Sequence, residues 1–459
     1  MSTPETTMTQ LQPRAGGAPV DGAPALPRLL AGIHADGAST HAEHVELHGP
    51  LALGAGARRR QAREDAARLL DEVERSGLTG RGGASFPTAT KMRAVAGARG
   101  RAIVVANGAE GEPASLKDRT LMETLPHLVL DGGVVAAEAV GADELIVCAC
   151  ESAGASVEAM ERAIAERFPA RSDSAGAPKV TLVSVPSHYV AGQETALLRY
   201  LGGGPAKPTF TPPLPFEQGL RRRPTLVNNA ETLAHLALIA RHGANWFREL
   251  GTASQPGSTL VTLSGPLAHP GVYEIENGAS LSSLIEAAGG STARVRAVLL
   301  GGYAGAWVGG ELLQALALSQ EHLAPHGATL GAGIILLLSE AACPVAETAR
   351  VARWMADQSA HQCGPCIHGL DALATTIEQM ASGAAEGNAA QRADRLASLT
   401  ARRGACAHPD GAVNLILSSL EVFAPEFADH ARHGACEACA RPPELPLPLR
   451  PVNDAPAVR

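Results

Sequence analysis

Apolar and polar positions follow two different rhythms along this chain. Up to about residue 250, short continuous apolar runs are separated by segments in which apolar residues recur every three or four positions. The run Ala102-Ile103-Val104-Val105-Ala106 reads as a buried strand and 144–148 and 179–185 as further strands, whereas 60–76, 117–124, 128–140 and 155–168 carry the helical period. Strands alternating with helices predict a parallel α/β layer. Residues 192–198 read as a loop opening a helix, and residues 227–232 as the start of another with asparagine as its cap. Between them, residues 205–215 hold five prolines and should run extended over the surface. From Ser258 the texture changes. Residues 259–265 and 271–275 read as two strands, 281–288 as a short helix and 295–300 as a strand, which together make a small α+β unit. From about residue 340 the pattern is helical almost throughout.

A chain of 459 residues should hold about three domains. Its 45% hydrophobic content is enough for ordinary cores, and a net charge of −8 argues against a nucleic-acid partner. No segment approaches the roughly 20 apolar residues that span a membrane, so direct membrane insertion is not expected. The first 25 residues are polar and lack the apolar centre of a signal peptide; they read as a disordered tail, as does the Pro-rich end from Pro442. The expected compartment is the cytoplasm, with peripheral attachment to a membrane complex through other subunits left open. Of the eight cysteines, Cys363, Cys366, Cys406, Cys436 and Cys439 crowd the last hundred residues, which favours metal or redox chemistry over a disulfide framework. Cys148 and Cys150 continue a buried strand, and Cys343 reads as core.

The chemistry concentrates in two segments. Gly80-Arg81-Gly82-Gly83 has three glycines within four residues, which lets backbone approach a flat or anionic ligand and leaves N–H groups free for phosphate. Asn107-Gly108-Ala109-Glu110-Gly111-Glu112-Pro113 then follows the apolar run 102–106, at the end of a strand where α/β folds bind ligands.

With the segments that follow, these motifs resemble the NADH-binding flavoprotein subunit of respiratory complex I and the related diaphorase subunits of hydrogenases and formate dehydrogenases. The resemblance covers residues 60–430. It rests on 80–88 with Lys91, 107–113 with Lys117-Asp118-Arg119, 192–197, 228–233, 242–247, Ser264-Gly265 with Pro270-Gly271-Val272-Tyr273, and the set Cys363, Cys366 and Cys406. It implies an α/β fold with a Rossmann-like parallel α/β flavin domain, a small β-grasp domain of soluble-ligand-binding type and a C-terminal α-helical bundle. The implied division is a disordered tail 1–45, an FMN/NADH-binding domain 46–250, a β-grasp domain 251–335, a helical iron–sulfur-binding-type domain 336–435 and a Cys/Pro-rich tail 436–459.

The same resemblance implies FMN, NADH and a [4Fe–4S] cluster, with electrons passing to a protein acceptor or to other subunits of an oxidoreductase complex. Gly80, Arg81, Gly82, Gly83 and Lys91 would line the flavin and nicotinamide side. Asn107, Glu110 and Glu112 would bind flavin ribityl groups or nucleotide, and Glu194, Thr195, Asn228, Asn229 and Thr232 would close the pocket. Cys363, Cys366 and Cys406 would ligate the cluster.

Four positions depart from the family pattern. Ala360 stands where the first cluster cysteine is expected, and alanine cannot ligate iron. The sequence leaves three outcomes: a substitute ligand such as His361, water or a partner group; Cys436 or Cys439 folding back; or loss of the cluster. Ala109 removes an acidic group, Gln193 replaces a Glu near the nicotinamide, and Ala94 replaces a Phe that could stack on adenine. A non-catalytic scaffold with degraded cofactor sites is the alternative from a different functional class.

Overall fold

The computed structural model describes residues 26–33, 37–51, 59–168, 177–385 and 387–448. Its first sheet is built around β1 (Ala102–Gly108), which lies between β2 (Ala142–Cys150) and β4 (Thr225–Asn229), with β3 (Lys179–Val185) beyond β2. All the pairings are parallel. Successive side chains of a strand point to opposite faces, and here both faces are apolar. Val104, Ala106, Leu145 and Val147 enter one core with the helices Pro126–Val140 and Ala230–Phe247. Ile103, Val105, Ile146 and Cys148 enter another with Leu197. A strand covered on both faces loses its polar alternation, which is why these runs are continuous in the sequence.

β4 was not anticipated. It follows Arg221-Arg222-Arg223-Pro224, and only Leu226 and Val227 in it are strongly apolar, so no run announces it. The cap at its end is as expected: Asn229 accepts a hydrogen bond from the Glu231 N–H at 3.0 Å and opens the next helix.

The second sheet has the order β6-β5-β9-β7-β8, with β5 (Ser258–Ser264), β6 (Gly271–Glu276), β7 (Val295–Leu300), β8 (Ala306–Gly309) and β9 (Ile334–Ser339). β5 and β9 are parallel and the other pairs antiparallel. One face packs Val261, Leu263, Val298 and Leu337 against the helix Leu281–Ala287, through Leu281 and Leu284. The other face turns Leu299, Ile334, Leu336 and Trp307 towards the C-terminal helices Pro344–Asp357, Leu370–Ser382, Ala389–Thr400 and His408–Val422, and towards Phe423 and Phe427.

Both chain ends correct the sequence reading. Residues 1–25 and 449–459 lie outside the described residues, but the neighbouring segments are held by the core. Leu29 and Leu30 are buried, and the N–H groups of Arg28, Leu29 and Leu30 donate to Glu274 Oε2 at 2.8, 2.8 and 3.1 Å. A buried carboxylate that gathers three amides orders a segment whose composition suggests none. At the other end, Glu444 Oε2 accepts from the Ser339 N–H at 2.9 Å, the Tyr303 hydroxyl donates to the Pro446 carbonyl at 2.6 Å, and Leu445 is buried.

Gly132 and Gly133 sit inside the helix Pro126–Val140, where glycine weakens a helix. Packing explains them. A Cβ on Gly132 would lie 1.8 Å from the Leu233 carbonyl oxygen, whereas one on Gly133 would meet only the end of the Leu145 side chain, at 2.7 Å. The first obstacle is the backbone of the facing helix and cannot give way. Gly132→Ala is therefore expected to destabilise by about 3 kcal/mol or more, the upper part of the overpacking range. Gly133→Ala should cost clearly less, and denaturant melts of both variants would expose an equal loss if the explanation were wrong.

Candidate functional site

Strand order places the site. From β1 the chain goes to β2 and then β3 on one side, and crosses back to β4 on the other, so its direction reverses between β1 and β4. At such a switch the loops leaving neighbouring strands part, and a crevice opens at the carboxyl ends. Asn107 and Asn229 are register partners at that end.

The Gly-rich loop lies over this opening. Its base is closed by Gly80 N–H donating to Phe86 O at 2.9 Å and Thr88 N–H to Leu78 O at 3.0 Å. The Arg81 N–H donates to Thr232 Oγ1 at 2.8 Å, which ties the loop to the helix Ala230–Phe247. Gly82 approaches the strand end so closely that a Cβ there would stand 3.4 Å from the Asn229 Cβ. Gly83 has φ +104°, which L side chains rarely adopt. Gly82, Gly83 and Ala84 are exposed, so this part of the loop offers backbone with no bulky side chain over it.

Beneath the loop lies a buried ionic network. Lys117 Nζ stands 2.9 Å from Asp118 Oδ1, 2.9 Å from Glu231 Oε2 and 3.2 Å from Asn229 Oδ1. Glu231 Oε1 accepts from the Leu260 N–H at 2.9 Å and Thr259 Oγ1 at 3.1 Å, on β5 of the second sheet. Burial alone would lower the Lys117 pKa; the Asp118, Glu231 and Glu110 carboxylates outweigh it and hold the ammonium charged. Burial would likewise raise Glu231, yet Lys117, His235 and Arg81 bring it down to about 2. Lys117, Asp118 and Arg119 form one of the motifs, but nothing in the sequence distinguishes this lysine from a solvated one at a helix start.

Several expected ligand contacts are engaged by the protein itself. The Arg81 guanidinium turns inward, donating to Thr79 Oγ1 at 2.8 Å and to the Ser258 carbonyl at 3.1 Å, so the arginine offers the crevice only its backbone. Glu110 accepts from the N–H groups of Asp118 and Arg119 at 3.3 and 3.0 Å and caps the helix Lys117–Thr124. Asn107 donates to the Gly192 carbonyl at 2.9 Å and accepts from the Ala109 N–H at 3.1 Å. Thr195 Oγ1 and the Thr195 and Ala196 N–H groups all donate to Gln193 Oε1, so Gln193 is a helix cap.

Glu112 reaches the second sheet, where its Oε1 accepts from the Tyr303 N–H at 2.6 Å. A Cβ on Gly302 would stand 2.2 Å from that oxygen, so only glycine leaves room for it. The residue keeps some exposure, but its carboxyl is enclosed, and burial raises it to about 8.

The remaining candidates converge on the crevice. Lys91 Nζ donates to the Val227 carbonyl at 2.7 Å and pairs with Glu194 Oε1 at 2.6 Å, both groups being half-buried. Asn228 is buried, and its Nδ2 has no hydrogen-bond partner among the described residues. An unsatisfied buried amide is costly, and this one stands at the strand end where a ligand acceptor could meet it.

Farther along, Cys363 and Cys366 flank the start of a π-helical turn, Pro365–Gly369, with Cys366 buried. Cys366 has Cys363 and Cys406 within electrostatic reach. Ala360 is 2% exposed. The described residues thus bring together three of the thiols that a four-cysteine cluster needs, and the Ala360 methyl offers no lone pair. An aromatic seam leads from the crevice to this place. Tyr189 opens the turn that ends at Gly192, and its ring centroid lies 5.2 Å from that of His408, two residues beyond Cys406.

Comparisons with known proteins agree with this arrangement. Residues 73–238 match the Nuo51 FMN-binding domain, 260–303 the SLBB domain and 346–430 the NADH-ubiquinone oxidoreductase-F iron-sulfur binding region. The chain is 33% identical over 379 residues to an NADH-quinone oxidoreductase subunit of Rhizobium meliloti (strain 1021), covering 80% of this chain and 90% of that one. It is 29% identical to the NADP-reducing hydrogenase subunit HndC of Solidesulfovibrio fructosivorans, with 81% and 78% covered. Among solved structures, a chain of the air-oxidized NAD+-reducing [NiFe]-hydrogenase superposes with a TM-score of 0.72 at 31% identity. That likeness spans 83% of this chain and 66% of the hydrogenase chain. The chain belongs to the family of NADH-quinone oxidoreductase subunits that join the Nuo51 FMN-binding domain to an iron-sulfur binding region.

Proposed function

We propose that this chain is the NADH-oxidising, FMN-dependent subunit of a multisubunit oxidoreductase and hands electrons to a partner protein. The observation that carries the reading is the Gly-rich backbone loop over the β1/β4 switch, beside the Asn228 Nδ2, which has no hydrogen-bond partner among the described residues. This cradle fits FMN: the glycines admit a flat ring and a phosphate, and Asn228 supplies a donor for a ribityl or ring oxygen. Bound there, FMN supplies the exchange between a two-electron donor and one-electron acceptors.

The chain's own part is to hold and orient. Gly80, Gly82 and Gly83 present backbone, Thr232 fixes the loop through the Arg81 N–H, and Asn229 spaces it from the strand end. Lys91, balanced by Glu194, sets a positive group at the rim. Asn107, Glu110 and Thr195 act one step back, by shaping the loops. Cys363, Cys366 and Cys406 would supply three thiolates of an iron–sulfur site, and Ala360 at its fourth position gives none. The proposed setting is cytoplasmic, on a complex reached through other subunits. Among the described residues no helix is long and apolar enough to cross a membrane.

Anaerobic purification with flavin and iron quantitation tests the reading. Flavin with NADH-to-dye activity is expected; absence of flavin even after reconstitution would favour a non-catalytic scaffold. Gly83→Val, forced into a left-handed backbone region, should lower flavin affinity at least about tenfold, equivalent to about 1.4 kcal/mol. Full flavin occupancy in that variant would reject the loop assignment. Cys366→Ser should remove iron absorbance while NADH-to-dye turnover stays within about twofold, and a collapse of dye reduction would show that flavin and thiol sites are not separable.

Glu112 predicts a pH effect on stability. Its carboxyl, raised from 4.5 to about 8, keeps in the folded state a proton that the unfolded chain has released across that window. Stability should therefore fall as pH rises from about 4.5 to 8 and level off above it. Glu112→Gln keeps an acceptor for the Tyr303 N–H and should flatten that fall without changing flavin content. An unchanged slope in urea melts at a series of pH values would refute the assignment.

A further inference from the structure

Cys343, His430, Cys436 and Cys439 come from distant parts of the chain, yet one ligand atom of each lies within 4.8 Å of all the others. From these four we propose a second metal site, separate from the Cys363/Cys366/Cys406 group: a tetrahedral, structural divalent-metal site of the zinc class.

Distances identify the kind of site. Four ligands around one zinc, with Zn–S near 2.3 Å and Zn–N near 2.0–2.1 Å, stand about 3.8 Å apart for sulfur–sulfur and about 3.6 Å for sulfur–nitrogen. Here Cys436 Sγ and Cys439 Sγ are 3.7 Å apart, Cys439 Sγ and Cys343 Sγ 3.4 Å, Cys343 Sγ and His430 Nε2 3.5 Å, and Cys439 Sγ and His430 Nε2 3.9 Å. None of these thiols is in a disulfide, and the sulfur–sulfur spacings far exceed the roughly 2.05 Å of an S–S bond. They are also too tight for an iron–sulfur cube, where each thiolate sits on a different iron and the ligands must spread. One ion held by three sulfurs and one nitrogen is the arrangement that fits, and tetrahedral sulfur-rich sites of this kind suit zinc.

The surroundings are those of a built site. His430 is buried, and its Nδ1 lies 3.0 Å from the Ala381 carbonyl. That acceptor requires the proton on Nδ1 and leaves the Nε2 lone pair for the metal, the usual arrangement around a ligating histidine. Cys343 is buried at the N-terminus of the helix Pro344–Asp357, where its sulfur accepts from the Ala346 N–H at 3.4 Å. Cys436 and Cys439 form a tight C-x2-C turn in which the Cys439 N–H donates to the Cys436 carbonyl at 3.0 Å. The cavity beside Cys343 and Cys436 is bordered by Arg296 and Arg432 and by Glu340, Glu426 and Asp429, with Arg296 paired to Glu426.

The site would act as a clasp. Cys343 leads into one helix, His430 ends another, and Cys436 and Cys439 begin the segment that runs on to Glu444, Leu445 and Pro446 across the second sheet and its helices.

The test uses full-length protein purified without chelator, with iron and zinc measured together. About one zinc per chain is expected, falling below about a tenth in Cys439→Ser while iron is unchanged. Cys366→Ser should do the reverse, losing iron and keeping zinc. If Cys439→Ser fails to fold, X-ray absorption at the zinc edge of the unmutated protein decides, with three sulfurs and one nitrogen expected. Zinc absent after metal-replete expression, a native Cys436–Cys439 disulfide found by mass spectrometry, or loss of iron together with zinc in Cys439→Ser would each overturn the proposal.

Discussion

The buried ammonium of Lys117 is the contact on which the rest of the ligand-binding end depends. It meets Asp118 from its own helix, Asn229 at the end of β4 and Glu231 in the first turn of the helix that follows. Through Glu231 it is coupled to Thr259 and Leu260 on the second sheet, and through Glu231 and Thr232 to Arg81 and its loop. Two cations, Lys117 and Arg81, and two carboxylates, Asp118 and Glu231, balance in the buried interior. Such a group adds little net stability over apolar residues of the same size, but leaving any member unpaired is costly. Its value is specificity of position. The charges tie the Gly-rich loop, the strand ends and the second sheet to one another.

That network changes how the polar residues of the motifs should be understood. Arg81, Glu110, Asn107 and Thr195 are the kinds of side chain that bind a nucleotide, yet here each has its hydrogen-bonding capacity directed at the protein. What is left for a ligand is mainly backbone, with Asn228 and the Lys91–Glu194 pair at the edge. A flavin does not need a charged first layer. It needs a rigid cleft that admits a ring and directs amides at a phosphate, and the polar residues provide the rigidity. Gln193 fits this view: its amide oxygen serves as a helix cap, a task that does not require the carboxylate expected there.

The sequence made the first sheet legible where strands are buried on both faces, because β1 and the second half of β2 then read as unbroken apolar runs; β3, the partly exposed edge strand, mixes Lys179, Thr181 and Ser184 with its apolar residues. It hid β4, whose few apolar residues sit between an arginine run and the asparagines of the helix cap, although β4 is the strand that creates the switch. β9, with Ile334 to Leu338 all buried, also escaped: a short all-apolar run before a helical region has no period of its own. The glycines of the loop were legible because φ and close approach leave few other roles for them. The N-terminal segment around Leu29 was not, since its order depends on Glu274, far away in sequence.

The cysteines show why spacing alone was insufficient. The C-x2-C pair Cys436 and Cys439, looked at beside Cys363 and Cys366, invites the idea of one shared cluster completed from the tail. The fold instead delivers the pair to Cys343 and His430. Geometry explains the separation. Thiols that must surround one point crowd to within a single tetrahedral edge, whereas cluster ligands must stand apart. The tail pair cannot satisfy both demands at once. Ala360 therefore stays without a substitute from the tail, and Cys343, which looked like a core residue, gains a role that burial alone does not explain. One group lies beside the contact between Tyr189 and His408, and the other closes the chain end onto the domain.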